Sequence, residues 1–423
     1  MPHVDRRVFQ LWLLLIAGTF AFVWAAVRAG VQSITMDEAQ TYLFSIARPN
    51  LWYPYPNNHI LNSLLMWGTT HAFGVSNIAV RLPTLLGAIL YIATCIFLCR
   101  SITHRFSLQF PLFLCLTFNP LICDYMVAAR GYGLANAFLL AAIAVPVWHT
   151  VNGRLSLRTS CALASVALGL SFAANFSFAF VDMATFLGLV IWALAWVRRH
   201  RESESMVQVV EFCVLPGLFV ALLLCGYSLA HWKKGELWWG AHSFSEMTRS
   251  LIESSFYRLD PGLLGPGLYK AMSFLKPLLL PLLGILCLLR LVATRLDGSR
   301  LKDVWARWPG AFAAALAGIV SLSLLIHGLA FYFARLPLPM GRTGIYLVPL
   351  VTLLAGTIAA APARSMVRST AGSTLGTIAR SIARYGASQW LGRGITAVLM
   401  CLACTFLLCL RVSHFREYEW DAE

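Results

Sequence analysis

The stretch VFQLWLLLIAGTFAFVWAAVRAGVQSITMDEAQTYLF, residues 8–44, sets an apolar run long enough to cross a bilayer directly before two adjacent carboxylates, Asp37 and Glu38. About twenty apolar residues span ~30 Å of hydrocarbon as a helix. Val8 to Ala29 meets that length, and it follows Arg6 and Arg7 in the manner of a secretory leader. No clean small-residue cleavage site follows it, and similar runs recur along the chain, so it reads as an uncleaved first span. Only 12% of the 423 residues are charged and 59% are hydrophobic. Ordinary soluble domains are about one-quarter charged, so this composition excludes one.

Eleven spans follow from the apolar runs: Val8–Ala29, Val80–Cys99, Leu108–Cys123, Gly131–His149, Thr159–Phe176, Phe178–Val197, Val209–Leu229, Ala271–Leu291, Gly310–Phe333, Gly344–Ala361 and Gly394–Leu410. The expected fold is therefore all-α, a polytopic membrane protein forming one unit over residues 1–423. The formal net charge is +15. It gathers in alternate connections: Arg6 and Arg7; Arg100 and Arg105; Arg154 and Arg158; Arg198, Arg199 and Arg201; Arg290, Arg295, Arg300, Lys302 and Arg307; Arg364, Arg368, Arg380, Arg384 and Arg393. The positive-inside rule makes that side cytoplasmic, with the N-terminus inside and the C-terminus outside. Charge distributed this way implies a bilayer partner and gives no reason to expect nucleic acid. The Ser/Gly/Arg-rich stretch 363–393 reads as a basic cytoplasmic loop with room for an amphipathic helix. The eleven cysteines lie almost entirely inside apolar runs, so even CLAC, 401–404, reads as helix packing.

The opposite side carries long loops at 30–79 and 230–270, rich in Trp and Tyr, with both signs of charge. TMDE, 35–38, has the form of a capping box in which Thr35 caps and Glu38 reaches back, predicting a helix over 36–47. Capping alone accounts for Glu38. Asp37 has no such duty, and the first turn of a helix favours a carboxylate in its ionised form, as a proton acceptor requires. In YPYPNNHILNSLLMW, 53–67, the prolines impose an extended segment, Asn57 or Asn58 is placed to cap a helix near His59, and His59 shares a face with Asn62. Arg81 stands at the lip of the second span, where a snorkelling side chain is the ordinary reading. Asp124 and Arg130, in NPLICDYMVAARGYGLANAF (119–138), share a short turn at the membrane edge. They either pair with each other or leave Arg130 as an anion clamp. Arg335 and Arg342 enter on FARLPLPMGRTGIYLVPL, 333–350, while Arg48 belongs to the first loop. Asp182 is the one acid placed within a span. His231, Lys233, Lys234 and Glu236 occupy the second loop, which suits a lid or acceptor groove.

A carboxylate at an aqueous mouth, with arginines to hold an anion and apolar helices to take a lipid tail, suits transfer of a sugar from a lipid phosphate to a hydroxyl. The acidic pair, NNHILNSLL, RLPTLLGAILY and AARGYGLANAF, taken in order, resemble the GT-C class of polyprenyl-phosphate-sugar-dependent glycosyltransferases, among them protein O-mannosyltransferases and aminoarabinose transferases. The resemblance is strongest over residues 30–140. It implies Asp37 as base with Glu38 beside it, and Arg130 and Arg342 at the lipid phosphate. Arg81, Arg335, His59 and Asp124 complete the candidate substrate-binding set. It further implies a polyprenyl-phosphate-linked sugar as donor, a glycan, lipid or protein acceptor, inversion at the anomeric centre, and an active site on the outer face of a bacterial inner membrane. Many relatives carry a lysine where this chain has Asn175. No cofactor is implied; a divalent metal is not indicated, since no tight His/Asp/Glu cluster is present. A transporter or flippase of an anionic or lipid-linked substrate is the competing class. It calls for inverted repeats and broken helices near the midplane, and the sequence displays neither.

Overall fold

A computed structural model describes residues 6–47, 50–55, 57–200, 205–232, 239–256, 259, 261–296, 308–361 and 375–411. Helices α1 (Arg6–Val31), α2 (Met36–Thr41), α3 (Ile60–Phe73), α4 (Asn77–Ile102), α5 (Phe106–Thr117) and α6 (Pro120–Tyr125) come first. Then follow α7 (Tyr132–Asn152), α8 (Leu157–Ala174), α9 (Ala179–His200), α10 (Met206–Ala230) and α11 (Phe244–Ser254). The chain ends with α12 (Pro261–Leu296), α13 (Gly310–Ala334), α14 (Leu347–Ala360) and α15 (Leu375–Leu408). Among the described residues, ten helices are long and apolar enough to cross a membrane, and the β-structure is a lone bridge between Ala241 and Leu338. The protein is an all-α polytopic membrane protein, as its apolar runs require. Arg48, Arg201, Lys233, Lys234, Glu236, Arg300, Lys302, Arg307, Arg364 and Arg368 lie outside the described residues.

The third expected span differs from the sequence reading. Instead of one helix over Leu108–Cys123, the chain forms α5, twelve residues long, and then α6. At 1.5 Å per residue α5 reaches about 18 Å, well short of the hydrocarbon thickness. The break is chemical. Pro120 disfavours helix at Asn119, and the Asn119 side chain instead accepts from the N–H groups of Leu121 and Ile122 to start a new helix. The second departure is at 363–393. Residues 363–374 lie outside the described set, and from Leu375 the chain is already helical and runs unbroken into the last span.

Close helix contacts use small residues, as expected where lipid supplies no hydrophobic drive between helices. Ser165 of α8 accepts from the Gly217 N–H of α10 at 2.8 Å. The first loop is tied across to α10: Trp52 donates to the Leu224 carbonyl at 3.0 Å, and Ser228 donates to the Trp52 carbonyl at 3.0 Å. The segment 118–130, expected at the membrane edge, is buried throughout. It lies inside the protein, between the helices and the first loop.

That segment ends at Gly131, which starts α7 with φ +75° and runs against the end of α8. A Cβ there would lie 2.0 Å from the Ala174 carbonyl oxygen. Gly153, with φ +61°, has open space around it. Gly131→Ala should therefore abolish folding or lower the thermal midpoint severely. Gly153→Ala should show only the left-handed strain of about 1–2 kcal/mol. Thermal unfolding of the two purified variants separates the cases.

Candidate active site

Thr35 ends an extended approach (φ −71°, ψ 156°) and caps α2 as the sequence predicts. Its hydroxyl accepts from the Glu38 N–H at 3.3 Å, and the Glu38 Oε2 accepts from the Thr35 N–H at 2.9 Å. The helix continues as a wider turn over Tyr42–Ala47, so the predicted 36–47 element is present in two windings.

Glu38 does far more than cap. Arg81 donates to it through Nε at 2.9 Å and Nη2 at 2.7 Å, a two-pronged fork, and the Ala129 N–H donates at 2.8 Å. The same guanidinium donates to the carbonyls of Ala29, Gln32 and Ser33 at the end of α1. Both side chains are fully buried. Four donors on two carboxylate oxygens fill its capacity to accept in good geometry. Glu38 and Arg81 are thus a closed structural knot, and neither reaches open space.

Asp37 differs in every respect. Its side chain is 20% exposed, and its Oδ2 lies 2.7 Å from Arg342 Nη1 and 3.6 Å from Arg130 Nη2. Arg130 is 1% exposed and anchored by donating to the Asp37 carbonyl at 2.9 Å, to the Thr41 hydroxyl at 2.8 Å and to the Asn57 amide oxygen. Its backbone is held too. Asn62 donates to the Ala129 carbonyl at 2.9 Å, and Asn175 to the Arg130 carbonyl at 3.3 Å. Asn175 thus supports Arg130 from behind. Arg342 arrives on the 3-10 turn Gly341–Gly344, whose Gly341 N–H donates to Ser250 of α11 at 3.1 Å. Its guanidinium stacks 5.7 Å from the Trp239 ring centroid. Ala241 and Leu338 pair through both backbone bonds beside it, so the second long loop and α11 brace this arginine.

His59 precedes α3 with no side-chain cap, contrary to the expected role of Asn57 or Asn58, which turn elsewhere. Asn57 accepts a single bond from Arg130 Nη2, while Asn58 donates to the Leu51 and Tyr53 carbonyls. The His59 ring is 3% exposed, packs edge-on to Tyr132 at 5.5 Å, and among the described residues neither nitrogen has a hydrogen-bond partner. Burial, then Arg130 and then Arg342, hold its pKa well below the usual imidazole value, so it is neutral at pH 7.

Two expected members lie elsewhere. Asp124 is fully buried and pairs at 2.7 Å with Arg28 of α1, so neither it nor a pairing with Arg130 belongs to the site. Arg335 sits exposed at the left-handed C-terminus of α13 (φ 53°) and makes no described contact with the Asp37 cluster. Asp182 is buried in α9, and neither of its oxygens has a hydrogen-bond partner among the described residues. Among those residues no three His, Cys, Asp or Glu converge as a metal site.

Beside Arg130 opens a cavity of about 210 Å³, walled by Gln40, Phe44, Tyr53, Tyr55 and Asn57. None of these wall residues is singled out as a substrate contact by the sequence alone. The usable signal lies in the aromatic, extended YPYP stretch, whose rings have nowhere to pack in a loop.

Set against known proteins, the sequence matches no family model, and no curated protein matches it. Among solved structures it is similar to ArnT from Cupriavidus metallidurans in the apo state, with 13% identity and a TM-score of 0.49 over 94% of this chain and 76% of that one. ArnT from the same organism bound to undecaprenyl phosphate gives 14% identity and 0.48 over 94% and 77%. The arabinosyltransferase EmbB from Mycobacterium smegmatis gives 13% and 0.48 over 92% of this chain and 40% of EmbB.

Glu38→Gln would aim an amide donor at three donor-rich neighbours and leave Arg81 without its buried counter-charge. It should cost about 3–5 kcal/mol, seen as a large drop in thermal midpoint, whereas Asp37→Asn should change stability little. A second outcome follows from His59. Its folded pKa lies below the unfolded value of about 6.5, so the unfolded chain binds the extra proton first. Stability should fall as pH drops below about 6.5. In His59→Gln that component of the decline should vanish when thermal midpoints are compared across pH.

Proposed function

We propose that the protein is a membrane glycosyltransferase. It transfers a sugar from a polyprenyl-phosphate-linked donor to an acceptor hydroxyl at the outer membrane face, with inversion. The observation that carries this reading is the single half-open carboxylate, Asp37, set between two guanidiniums while the neighbouring acids are locked into closed pairs. The acceptor class remains a glycan, lipid or protein hydroxyl.

The chemistry maps onto these groups as follows. Asp37 takes the proton of the acceptor hydroxyl as its oxygen attacks the anomeric carbon. The bond from that carbon to the phosphate oxygen breaks, and its electron pair leaves with the phosphate. The leaving group passes from a singly charged diester to a monoester with additional negative charge. Arg130 and Arg342 are placed to take up that charge, which is larger in the transition state than in the bound donor and therefore accelerates the step. Arg130 suits this because its backbone and most of its donors are already fixed, so little reorganisation accompanies the reaction. The cavity beside it has room for one sugar ring, and its tyrosines offer both a stacking face and hydroxyls. Glu38, Arg81 and Asn175 act as positioning residues. His59, neutral and with no hydrogen-bond partner among the described residues, offers a donor and an acceptor in a dry place behind Arg130. The apolar helices supply the solvent for the lipid tail.

Arg342 pairs with Asp37 at 2.7 Å, so a phosphate that takes this guanidinium also releases the base. Asp37→Asn should insert and fold normally yet transfer no sugar. Arg130→Ala should weaken donor binding by at least tenfold, as expected for a charge-assisted fork worth more than 1.4 kcal/mol. Arg199→Ala, at the far end of α9, should leave both unchanged. The assay is transfer from a radiolabelled polyprenyl-phosphate sugar in membranes matched for protein level. Retained transfer by Asp37→Asn would remove the base from this scheme.

A further inference from the structure

We infer that the end of the bundle opposite Asp37 carries a second anion site, one that takes the phosphate headgroup of an anionic membrane lipid. A cavity of about 780 Å³ lies there. Three helix ends form it. Arg6 and Arg7 come from the first turn of α1, Arg100 from the last turn of α4, and Arg105 from the residue that precedes α5. No carboxylate is among its described lining residues.

Guanidiniums brought together from three helix ends favour an anion among them, and a guanidinium presents a fork matched to phosphate oxygens. The start of α5 adds to the field. Arg105 occupies its N-cap position without a side-chain cap bond, and Phe106 and Ser107, whose N–H groups open the helix, line the same cavity. Such N–H groups lack an intrahelical partner and favour negative charge. The 26 residues of α1 place this cavity about 39 Å from the end of that helix next to Asp37. It therefore lies at the other polar boundary of the bilayer, where lipid headgroups reside.

The apolar surroundings favour a lipid over a free phosphate compound. Directly along α1 from the arginines, Val8, Phe9, Trp12 and Ile16 stand exposed, forming a wall against which acyl chains can lie. Orientation in the membrane needs only basic residues at this end, as Arg198 and Arg199 supply while exposed. It does not need a concave site. Basic pockets between spanning helices are the general solution for holding anionic headgroups.

The test uses the full-length protein in detergent, with native mass spectrometry of retained lipid after addition of phosphatidylglycerol or phosphatidylcholine. Wild type should retain phosphatidylglycerol selectively. R100Q/R105Q should bind it about 25-fold more weakly, at about fivefold per arginine. R6Q/R7Q, changed only at exposed side chains in the first turn, should show a similar loss, which keeps the test decisive if R100Q/R105Q does not fold. R198Q/R199Q should bind as wild type does. Equal retention by all variants, or equal retention of phosphatidylcholine, would overturn the site. Inorganic phosphate that stabilises lipid-free wild type as much as phosphatidylglycerol does would overturn the lipid assignment in favour of a soluble phosphoryl compound.

Discussion

The buried pair of Glu38 and Arg81 is the constraint on which the rest of the site depends. One carboxylate and one guanidinium, both withdrawn from water, bind the end of α1, the start of α2, the start of α4 and the backbone at Ala129. Burying both charges costs several kcal/mol per ion before any attraction is counted, so the pair survives only because nearly every donor and acceptor it has is used. What it secures is position. With Glu38 fixed, Asp37 must project the other way, and with Ala129 fixed, Arg130 must face it.

A division of labour among like residues follows. Three acids and four arginines crowd this end of the molecule, yet two of the ion pairs, Glu38–Arg81 and Arg28–Asp124, are dry and closed. Only the third cluster, Asp37 with Arg130 and Arg342, keeps contact with open space. The closed pairs are scaffold because both are buried and neither reaches open space. The open one has an excess of positive charge and two donors of different kinds. Arg130 is rigidly held by its neighbours, whereas Arg342 rides on a short turn braced by the second loop through Trp239 and Ser250. An anion arriving there meets two guanidiniums held from different parts of the chain.

Much of this was legible in the residues. Apolar runs gave the helices, and Thr35 with Glu38 predicted the capping box that is found. Adjacent acids cannot be told apart by pattern, however, because a capping role is local while the Arg81 fork joins residues 43 apart in sequence. Asp124 was harder, since its partner Arg28 stands 96 residues away inside the first apolar run. A charged residue within a span is itself the signal, since Arg28 inside an apolar run requires an acid from elsewhere in the chain. The break between α5 and α6 was written in Asn119-Pro120 and hidden by the hydrophobicity around it. Gln40 and Phe44 gave no motif, because a cavity wall depends on which loop folds over which helix.

The central claim is that Asp37 and an incoming lipid phosphate compete for the same guanidiniums. Equilibrium binding of polyprenyl phosphate, compared between wild type and Asp37→Asn, addresses it directly. If the claim holds, the variant binds the lipid as tightly as wild type or more tightly, having lost the resident anion, although it transfers nothing. Binding that falls in Asp37→Asn as far as it does in Arg130→Ala would contradict the account.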